Sequence, residues 1–414
     1  MTTHARTLPP ELLEEIFVYC LPEDTDRLNP GNAPMALCQV SSCWRLVALA
    51  KHRLWDTVIF PSLRAGNSGI TYSKAAKFIQ TGGVERWFNR SGSRQLSFGE
   101  EGSSSPPSSL IALLVPIVTK YAQRFRHISL IITELEHCEL IRGDFLFDNL
   151  ESLSICCTPR LTNAQLQQLD TSFASCPKLK HVSLTLRKGD PSRFPVPWSQ
   201  LISIRVDNPF NPLKLRRWTR LFQGCPNLQH ATIAKPVDWS QYEGPVLEHE
   251  ALTSLRLLIS TIGRNDQSEI LCRPVRFPNL RHLQFDFWNV LADASPLWNP
   301  ETQRSLPNLQ SIALTAPISE GSSLEIPVDV EDIVQQVLTN TETFPGLTHM
   351  TLPYHISQIN DIAGLLRLRP PAGNFPGLTV SVNVKPPGRQ ETCNGILGKC
   401  PDLKERLYLL NPAP

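Results

Sequence analysis

The chain has 414 residues, of which 41% are apolar, enough for a substantial core. Its 40 basic and 38 acidic residues give a formal charge of +2, with no long run of either sign. This balance argues against a nucleic-acid partner, because such surfaces concentrate Lys and Arg on one face. The N-terminus lacks an apolar signal core, and the longest apolar run, Leu110–Val118, is too short to span a bilayer. We therefore expect a soluble protein of the cytoplasm and/or nucleus, with no membrane partner.

Two amphipathic stretches open the chain. In residues 8–21, Leu12, Ile16 and Cys20 fall at i, i+4 and i+8, which predicts a helix that begins near two prolines. A second apolar stripe contains Leu37, Val40, Trp44, Val47 and Lys51 and is closed by Leu54 and Trp55. So few residues bury little core alone. These helices therefore either present a face to a partner or cap the domain behind them.

The same stretch resembles an F-box. The resemblance lies in Leu8-Pro9-x-Glu11-Leu12-x-x-x-Ile16-Phe17, then Val40-x-x-Cys43-Trp44-Arg45, then Leu54-Trp55. It covers residues 8–60, and the long segment between its helical parts, residues 21–33, is similar to that of the F-box families of mushroom-forming fungi. The resemblance implies docking onto the Skp adaptor of a cullin–RING ubiquitin ligase. By motif position, the adaptor-binding residues would be Leu8, Pro9, Leu12, Ile16, Val40 and Trp44.

Residues 61–130 join this helical module to the rest of the chain. Within them, residues 70–98 predict a helix, a break at Gly82 and Gly83, a second helix and a strand. Residues 99–109 are rich in Gly, Ser and Pro and predict a loop. Residues 110–130 again predict a helix followed by a strand. We interpret this region as the first, imperfect repeats.

An irregular repeat organises residues 131–414. Its unit, apolar/Cys-Pro-x-Leu-x-x-apolar-x-apolar, is clearest at 176–184, 225–233, 277–285, 306–314 and 344–352, with weaker copies at 147–155, 197–206, 250–258, 375–382 and 400–409. We call the first leucine of each copy its anchor. The anchors are residues 150, 179, 201, 228, 252, 280, 309, 347, 378 and 403. They recur about every 28 residues, within the range of leucine-rich repeats.

The segments between these copies predict helices at 163–175, 213–224 and 330–342, each ended by the proline of the next copy. The fold class predicted is α/β: a helical F-box followed by an irregular leucine-rich-repeat-like solenoid with a parallel sheet on its concave face. The alternative is a globular α/β domain with parallel strands.

Serine and histidine alternate at the second residue after each anchor. The series is Ser152, His181, Ser203, His230, Ser254, His282, Ser311 and His349. In a strand this position points away from the core, and neighbouring strands lie about 4.8 Å apart, so Ser–His hydrogen bonds are possible along the sheet. The row is either a solvated polar surface or a target-facing ladder that senses pH, since an unperturbed His titrates at about 6.5.

We predict that the target protein contacts Arg205, Arg256, Trp288, His181, His230 and His282. Interface hot spots favour Trp and Arg, which selects the first three. The alternative for the arginines is pairing with Asp207 and Asp286, in which case they bind nothing.

No catalytic or metal signature is present in the sequence. The Gly-rich stretches lack a phosphate-cradling or dinucleotide fingerprint, and the histidines lack HExxH or HxH spacing. The 11 cysteines are odd in number and form no CxxC pair, which predicts reduced, buried structural thiols. We therefore expect no enzymatic activity, no metal and no cofactor.

Together these patterns predict a substrate-recognition subunit of an SCF-type ubiquitin ligase. The F-box would bind the Skp-type adaptor and, through it, cullin, while the repeats would bind an unidentified target protein. A non-enzymatic scaffold that does not assemble a ligase is the alternative. A hydrolase that uses the Ser/His row is a weaker one, since nothing resembles a nucleophile elbow.

Overall fold

The computed structural model describes residues 8–22, 27–60, 72–100, 108–132, 146–157, 172–187, 189–207, 214–234, 246–260, 275–288, 306–315, 344, 346–352, 379–383 and 407–410. The chain divides into two compact units, Met1–Leu201 and Ile202–Pro414. Within the described ranges, none of the helices combines the length and the apolar character that crossing a bilayer requires.

The first unit begins with helices and continues with helices and strands in alternation. Its helices are α1 (Pro10–Tyr19), α2 (Leu37–Val40), α3 (Ser42–Ala50), α4 (Tyr72–Gln80), α5 (Gly83–Arg90) and α6 (Ser108–Tyr121). Its strands are β1 (Thr57–Phe60), β2 (Leu96–Glu100), β3 (Phe125–Ile132), β4 (Ser152–Cys157) and β5 (His181–Leu186). Short 3₁₀ helices lie at His52–Trp55, Ala122–Arg124, Ser172–Ser175, Pro191–Arg193 and Trp198–Gln200. The helix, Gly-Gly break, helix and strand predicted for residues 70–98 are confirmed, as are the helix and strand of residues 110–130.

The five strands of the first unit pair in chain order, and every pair is parallel. Parallel neighbours require a crossover connection, which α4–α5 provide between β1 and β2, and α6 provides between β2 and β3. The α/β class predicted from the sequence is therefore confirmed for this unit.

The loop predicted at residues 99–109 is shorter than its composition indicates. Gly99 and Glu100 belong to β2, and Ser108 and Ser109 belong to α6. A β-carbon at Gly99 would lie 2.3 Å from the carbonyl oxygen of Ser129 on β3, so the glycine permits close strand contact and does not mark a turn. Residues 101–107 lie outside the described ranges.

The second unit repeats the parallel arrangement with fewer described helices. Its elements are β6 (Ser203–Asp207), α7 (Leu215–Gly224), β7 (His230–Ala234), β8 (Leu247–Glu248), β9 (Ser254–Ser260), β10 (Val275–Arg276), β11 (His282–Trp288), β12 (Ser311–Thr315), β13 (His349–Leu352), β14 (Thr379–Asn383) and β15 (Leu407–Leu410). The order of hydrogen-bonded neighbours is β6-β7-β9-β11-β12-β13-β14-β15, all parallel, and β8 pairs separately with β10.

The predicted helices of the repeats have different outcomes. Helix α7 confirms the one predicted at 213–224. Of residues 163–175, only 172–175 are described, and they form a 3₁₀ helix. Residues 330–342 lie outside the described ranges.

Most of the described repeats begin with a tight turn, and all of them bury their anchor leucine. The described anchors are at most 3% exposed: Leu150, Leu179, Leu201, Leu228, Leu252, Leu280, Leu309 and Leu347. In the copies that contain Pro-x-Leu, the leucine N–H donates to the carbonyl three residues earlier. Examples are Leu228 to Cys225 at 3.1 Å and Leu280 to Phe277 at 3.2 Å. Proline is the second residue of this turn, a position that its fixed φ favours. The prolines were expected to end helices; the structure gives them a role in the turn.

Asparagine at the third position links one turn to the turn before it. Its side-chain amide donates to the carbonyl of the second residue of the preceding turn. Among the described residues, examples are Asn149 to Gln123 at 2.8 Å, Asn279 to Glu250 at 2.9 Å and Asn308 to Pro278 at 2.7 Å. This ladder satisfies turn carbonyls that face away from the strand pairing.

The described cysteines range from buried to exposed, with Cys38 and Cys156 intermediate. Cys176 and Cys225 begin two of the turns and are buried, and burial raises the pKa of each to about 12, so both stay protonated at neutral pH. The expectation of buried thiols is confirmed for these two and for Cys157. It is wrong for Cys20 and Cys43, which are exposed on the N-terminal helices.

Glu100 should make the stability of the first unit depend on pH. The residue is 7% exposed at the end of β2, and burial raises the pKa of its carboxyl from 4.5 to about 7. The folded state then holds a proton that the unfolded state has released, so stability falls as pH rises from 4.5 through 7. We expect Glu100→Gln to raise the free energy of unfolding at pH 8 by roughly 2 to 3 kcal/mol and to change it little at pH 4.5. Urea denaturation of both proteins at the two pH values measures this, and an equal effect at both would contradict it.

Candidate functional site

Helix α1 has one buried and one exposed apolar stripe. Leu13 and Phe17 are 2% and 0% exposed, whereas Leu12 and Ile16 are 52% and 42% exposed. Residues four apart lie on the same side of a helix, so each pair forms a stripe of its own. The exposed stripe is therefore apolar without being part of the described core.

Further exposed apolar side chains lie on the same helical module. We call the whole group the N-terminal apolar set: Leu8, Leu12, Ile16, Tyr19, Val40 and Leu46. Four of the six predicted adaptor-binding residues are in it, and a fifth, Pro9, is also exposed. Tyr19 and Leu46 were missed by the motif comparison, although Tyr19 continues the helical spacing of Ile16.

Trp44 holds the module together and is only half-exposed. Its ring packs against Phe17 with 5.0 Å between centroids, and its backbone N–H donates to the Ser41 hydroxyl that caps α3. At the other end of α3, the ammonium of Lys51 lies 3.0 Å from the carboxylates of both Glu14 and Glu15. Trp44 thus positions α3 against α1, a supporting role, while the exposed set remains available for contact.

A Ser/His row crosses the strands of the first unit in register. Ser97 on β2 pairs with His127 on β3, His127 with Ser152 on β4, and Ser152 with His181 on β5. The prediction included only the last two. It missed Ser97 and His127 because the residue two before His127 is Phe125, which replaces the leucine of the repeat pattern.

The second unit carries the same alternation in register. The paired residues are Ser203, His230, Ser254, His282, Ser311, His349 and finally Thr379. The three histidines are exposed and the serines are half-buried. Ser311 Oγ lies 2.8 Å from His282 Nδ1, which is the predicted hydroxyl–imidazole hydrogen bond. His349 Nδ1 instead bonds Thr348 Oγ1 at 2.7 Å.

A shallow groove of 170 Å³ lies on the row of the second unit. Its polar lining is His230, Thr232, Ser254, Arg256, His282, Gln284 and Ser311. Pockets for small molecules usually exceed about 300 Å³, so this groove fits a side chain of a partner better than a free ligand.

Arg256, one of the predicted target contacts, forms an internal ion pair. Its guanidinium lies 2.5 Å from Asp286 Oδ2 on the adjacent strand, and the Asp286 side chain is only 7% exposed. The other carboxylate oxygen accepts hydrogen bonds from Gln284, at 2.8 Å, and from Thr315. The predicted alternative of a cross-strand pair is therefore confirmed for Arg256.

The remaining predicted target contacts differ in exposure. Arg205 is exposed on β6, and its charge opposes the rise that burial causes in the pKa of Asp207. His181, His230 and His282 are exposed. Trp288 ends β11, and its side chain lies outside the described part of the structure.

Comparison with known proteins does not identify a family for this chain. No family model matches the chain, and no curated protein matches it. A structural similarity exists to the crystal structure of the Rad7 and Elc1 complex in yeast, at 13% identity over 87% of this chain and 99% of that chain. Its TM-score is 0.28, too low to support an inference about fold or function.

Arg256→Gln tests whether the ion pair with Asp286 is structural. The change leaves a carboxylate of 7% exposure without its counter-ion, so we expect the free energy of unfolding to fall by about 1 to 3 kcal/mol. The matched control is Arg205→Gln, an exposed arginine at the corresponding position of β6, which should change it by less than about 0.5 kcal/mol. Equal effects in urea denaturation would contradict a structural role for the pair.

The Ser–His contact also predicts an absence of hydrolase chemistry. A catalytic triad needs an acid that orients the imidazole, and within the described residues no carboxylate bonds His282. We expect a fluorophosphonate probe to leave Ser311 unlabelled at neutral pH, as read by mass spectrometry of the full chain. Labelling that Ser311→Ala abolishes and Ser254→Ala preserves would contradict this expectation.

Proposed function

We propose that this chain is the substrate-recognition subunit of an SCF-type cullin–RING ubiquitin ligase. Its N-terminal module, residues 8–60, would be an F-box that docks on the Skp-type adaptor and through it on cullin. The strand faces would hold a target protein. The chain would catalyse nothing itself, and it would act by raising the local concentration of a target lysine near the charged conjugating enzyme.

The observation that carries the proposal is the exposure of the N-terminal apolar set. Leu12, Ile16 and Val40 are 52%, 42% and 60% exposed. Fully burying such a side chain contributes about 1.5 to 3 kcal/mol, so covering the exposed part of all three offers several kilocalories per mole to a partner. Clusters of exposed apolar residues mark interaction sites in proteins that otherwise bury them.

The arrangement of the module supports a docking role over a capping role. Leu13, Phe17 and Leu37 are buried, whereas the apolar set is exposed. A helix that served only to cap the following domain would need a single apolar stripe. Helix α1 has two, and the exposed one contains the motif residues Leu12 and Ile16.

The strand faces support a protein target over a small molecule. Their described side chains are mostly small or polar, the groove at His230 and His282 holds 170 Å³, and the exposed Arg205 offers a charged contact. Protein interfaces combine such shallow polar surfaces with a few anchoring residues.

In the scaffold alternative, the F-box is either vestigial or binds the adaptor without assembling a ligase. A ligase subunit brings cullin along with the adaptor, while a scaffold does not. The composition of the purified complex therefore decides between them.

The test is co-expression with a fungal Skp-type adaptor and cullin, followed by pull-down and titration. We expect wild type to capture both proteins. A Leu12→Lys, Ile16→Lys variant should bind the adaptor at least about 100-fold more weakly, because two charges would replace the apolar contact. The matched control is Leu146→Lys, which changes an equally exposed leucine (59%) in the same unit and should bind normally.

The outcomes separate the alternatives. Capture of adaptor without cullin would favour the scaffold. Failure of folded wild type to capture adaptor, or equal weakening by Leu146→Lys, would overturn the docking proposal. Thermal unfolding of each variant establishes that the substitutions leave the fold intact.

A further inference from the structure

The first unit contains a polar pocket of 350 Å³ that shares no residue with the N-terminal apolar set and only Ser97 with the Ser/His row. It is lined by Arg27, Arg53, Asp56, Thr57, Arg94, Gln95, Ser97 and Arg126. Four of these eight residues are arginines. The volume lies within the range of about 300 to 1,000 Å³ that is usual for small-molecule sites.

Parallel strand pairing brings these distant residues to the N-terminal ends of neighbouring strands. Thr57 begins β1, Arg94 and Gln95 precede β2, and Arg126 is the second residue of β3. Arg53 lies in the 3₁₀ helix that leads into β1. The starts of adjacent parallel strands lie side by side, so three separate sequence segments converge on the pocket.

Asp56 orients two of the arginines. Its Oδ1 lies 3.3 Å from Arg27 Nη1, and its Oδ2 lies 3.1 Å from Arg94 Nε. The same carboxylate accepts a hydrogen bond from Thr57 Oγ1 at 3.1 Å. The Asp56 side chain is 17% exposed, which makes this arrangement a partly buried one.

The pocket carries an excess of positive charge. Four guanidinium groups and one carboxylate line it, which gives four minus one, or +3. Arg53 and Arg126 are exposed and form no ion pair with any residue in the described ranges. Grouping four like charges costs free energy, and a bound anion would offset that cost.

Guanidinium groups select among anions by shape. Their planar N–H forks bind phosphate oxygens in pairs, and several of them around one site suit a group with more than one negative charge. The hydroxyl of Ser97 and the amide of Gln95 line the same pocket and add neutral donors, whereas the Thr57 hydroxyl already donates to Asp56.

We propose that this pocket binds a phosphate-bearing ligand, with Arg53 and Arg126 as its principal contacts. The proposal stands on the pocket alone and does not depend on adaptor binding. The shared chemistry is a phosphate group of at least two negative charges, supplied by a small polyphosphate or by a phosphorylated serine of a peptide.

The test is isothermal titration of the full chain with tripolyphosphate and, separately, with a phosphoserine peptide and its unphosphorylated form. We expect one phosphorylated probe to bind with a stoichiometry of one. Its affinity should fall as salt rises from about 50 to about 300 mM, because the Debye length then falls from about 14 to about 6 Å. Arg53→Gln and Arg126→Gln should each weaken binding about tenfold and, combined, about 100-fold.

The matched control is Arg281→Gln. Arg281 precedes His282 of the second unit as Arg126 precedes His127 of the first, and it is likewise exposed. It should leave the affinity unchanged.

Tighter binding of tripolyphosphate would identify a small-molecule ligand, and tighter binding of the phosphopeptide would identify a phosphorylated partner; either supports the proposal. Three carboxylates, Glu23, Asp24 and Asp26, precede Arg27 in sequence but lie outside the described ranges. If they neutralise the pocket, wild type binds neither probe and the proposal is overturned. Equal weakening by Arg281→Gln would overturn it as well, because binding would then be non-specific.

Discussion

The buried leucine at the start of each repeat is the constraint on which the other features depend. A tight turn with proline at its second position delivers this leucine to the core, as Leu228 and Leu280 illustrate. The strand begins two residues later, so the turn fixes which residues of the strand face inward. Because each turn has the same length, successive strands start level with one another and pair in parallel register. The asparagine bonds between neighbouring turns reinforce that register.

The Ser/His row follows from this register. Any residue type that recurs at the second position after the anchor is stacked beside its counterparts on adjacent strands. Alternation with half-buried serines keeps the imidazoles of the row on non-adjacent strands within each unit. The contact between Ser311 and His282 shows that the hydroxyl can bond its neighbour. The register also brings Arg256 close to Asp286: Arg256 lies opposite Gln284, and Asp286 is two residues further along β11, so the ion pair runs diagonally between the two strands.

The sequence predicted features that repeat locally and missed those that depend on convergence. Anchor spacing located the strands, and helical spacing located α1 and α7. Spacing alone did not reveal which stripe of α1 faces solvent, because Leu12 and Leu13 are equally apolar and only packing distinguishes them. Gly99 was read as a loop residue because composition does not show that Ser129 of the next strand lies against it. The arginine pocket was not predicted at all, since its members are separated by up to about a hundred residues and meet only after the strands pair.

The segment from His52 to Thr57 connects the helical module to the arginine pocket. Leu54 and Trp55 are fully buried, and the Trp55 ring packs edge-on against Trp87 with 4.8 Å between centroids. Its indole N–H also donates to the Ala48 carbonyl at the end of α3, at 2.8 Å. Because Trp55 contacts both Trp87 and Ala48, it fixes the backbone of the segment that carries Arg53 and Asp56. The pocket and the N-terminal apolar set nevertheless share no residue. A ligand in the pocket and a partner on the N-terminal apolar set would therefore contact different residues, and both contacts would depend on the backbone that Trp55 holds in place.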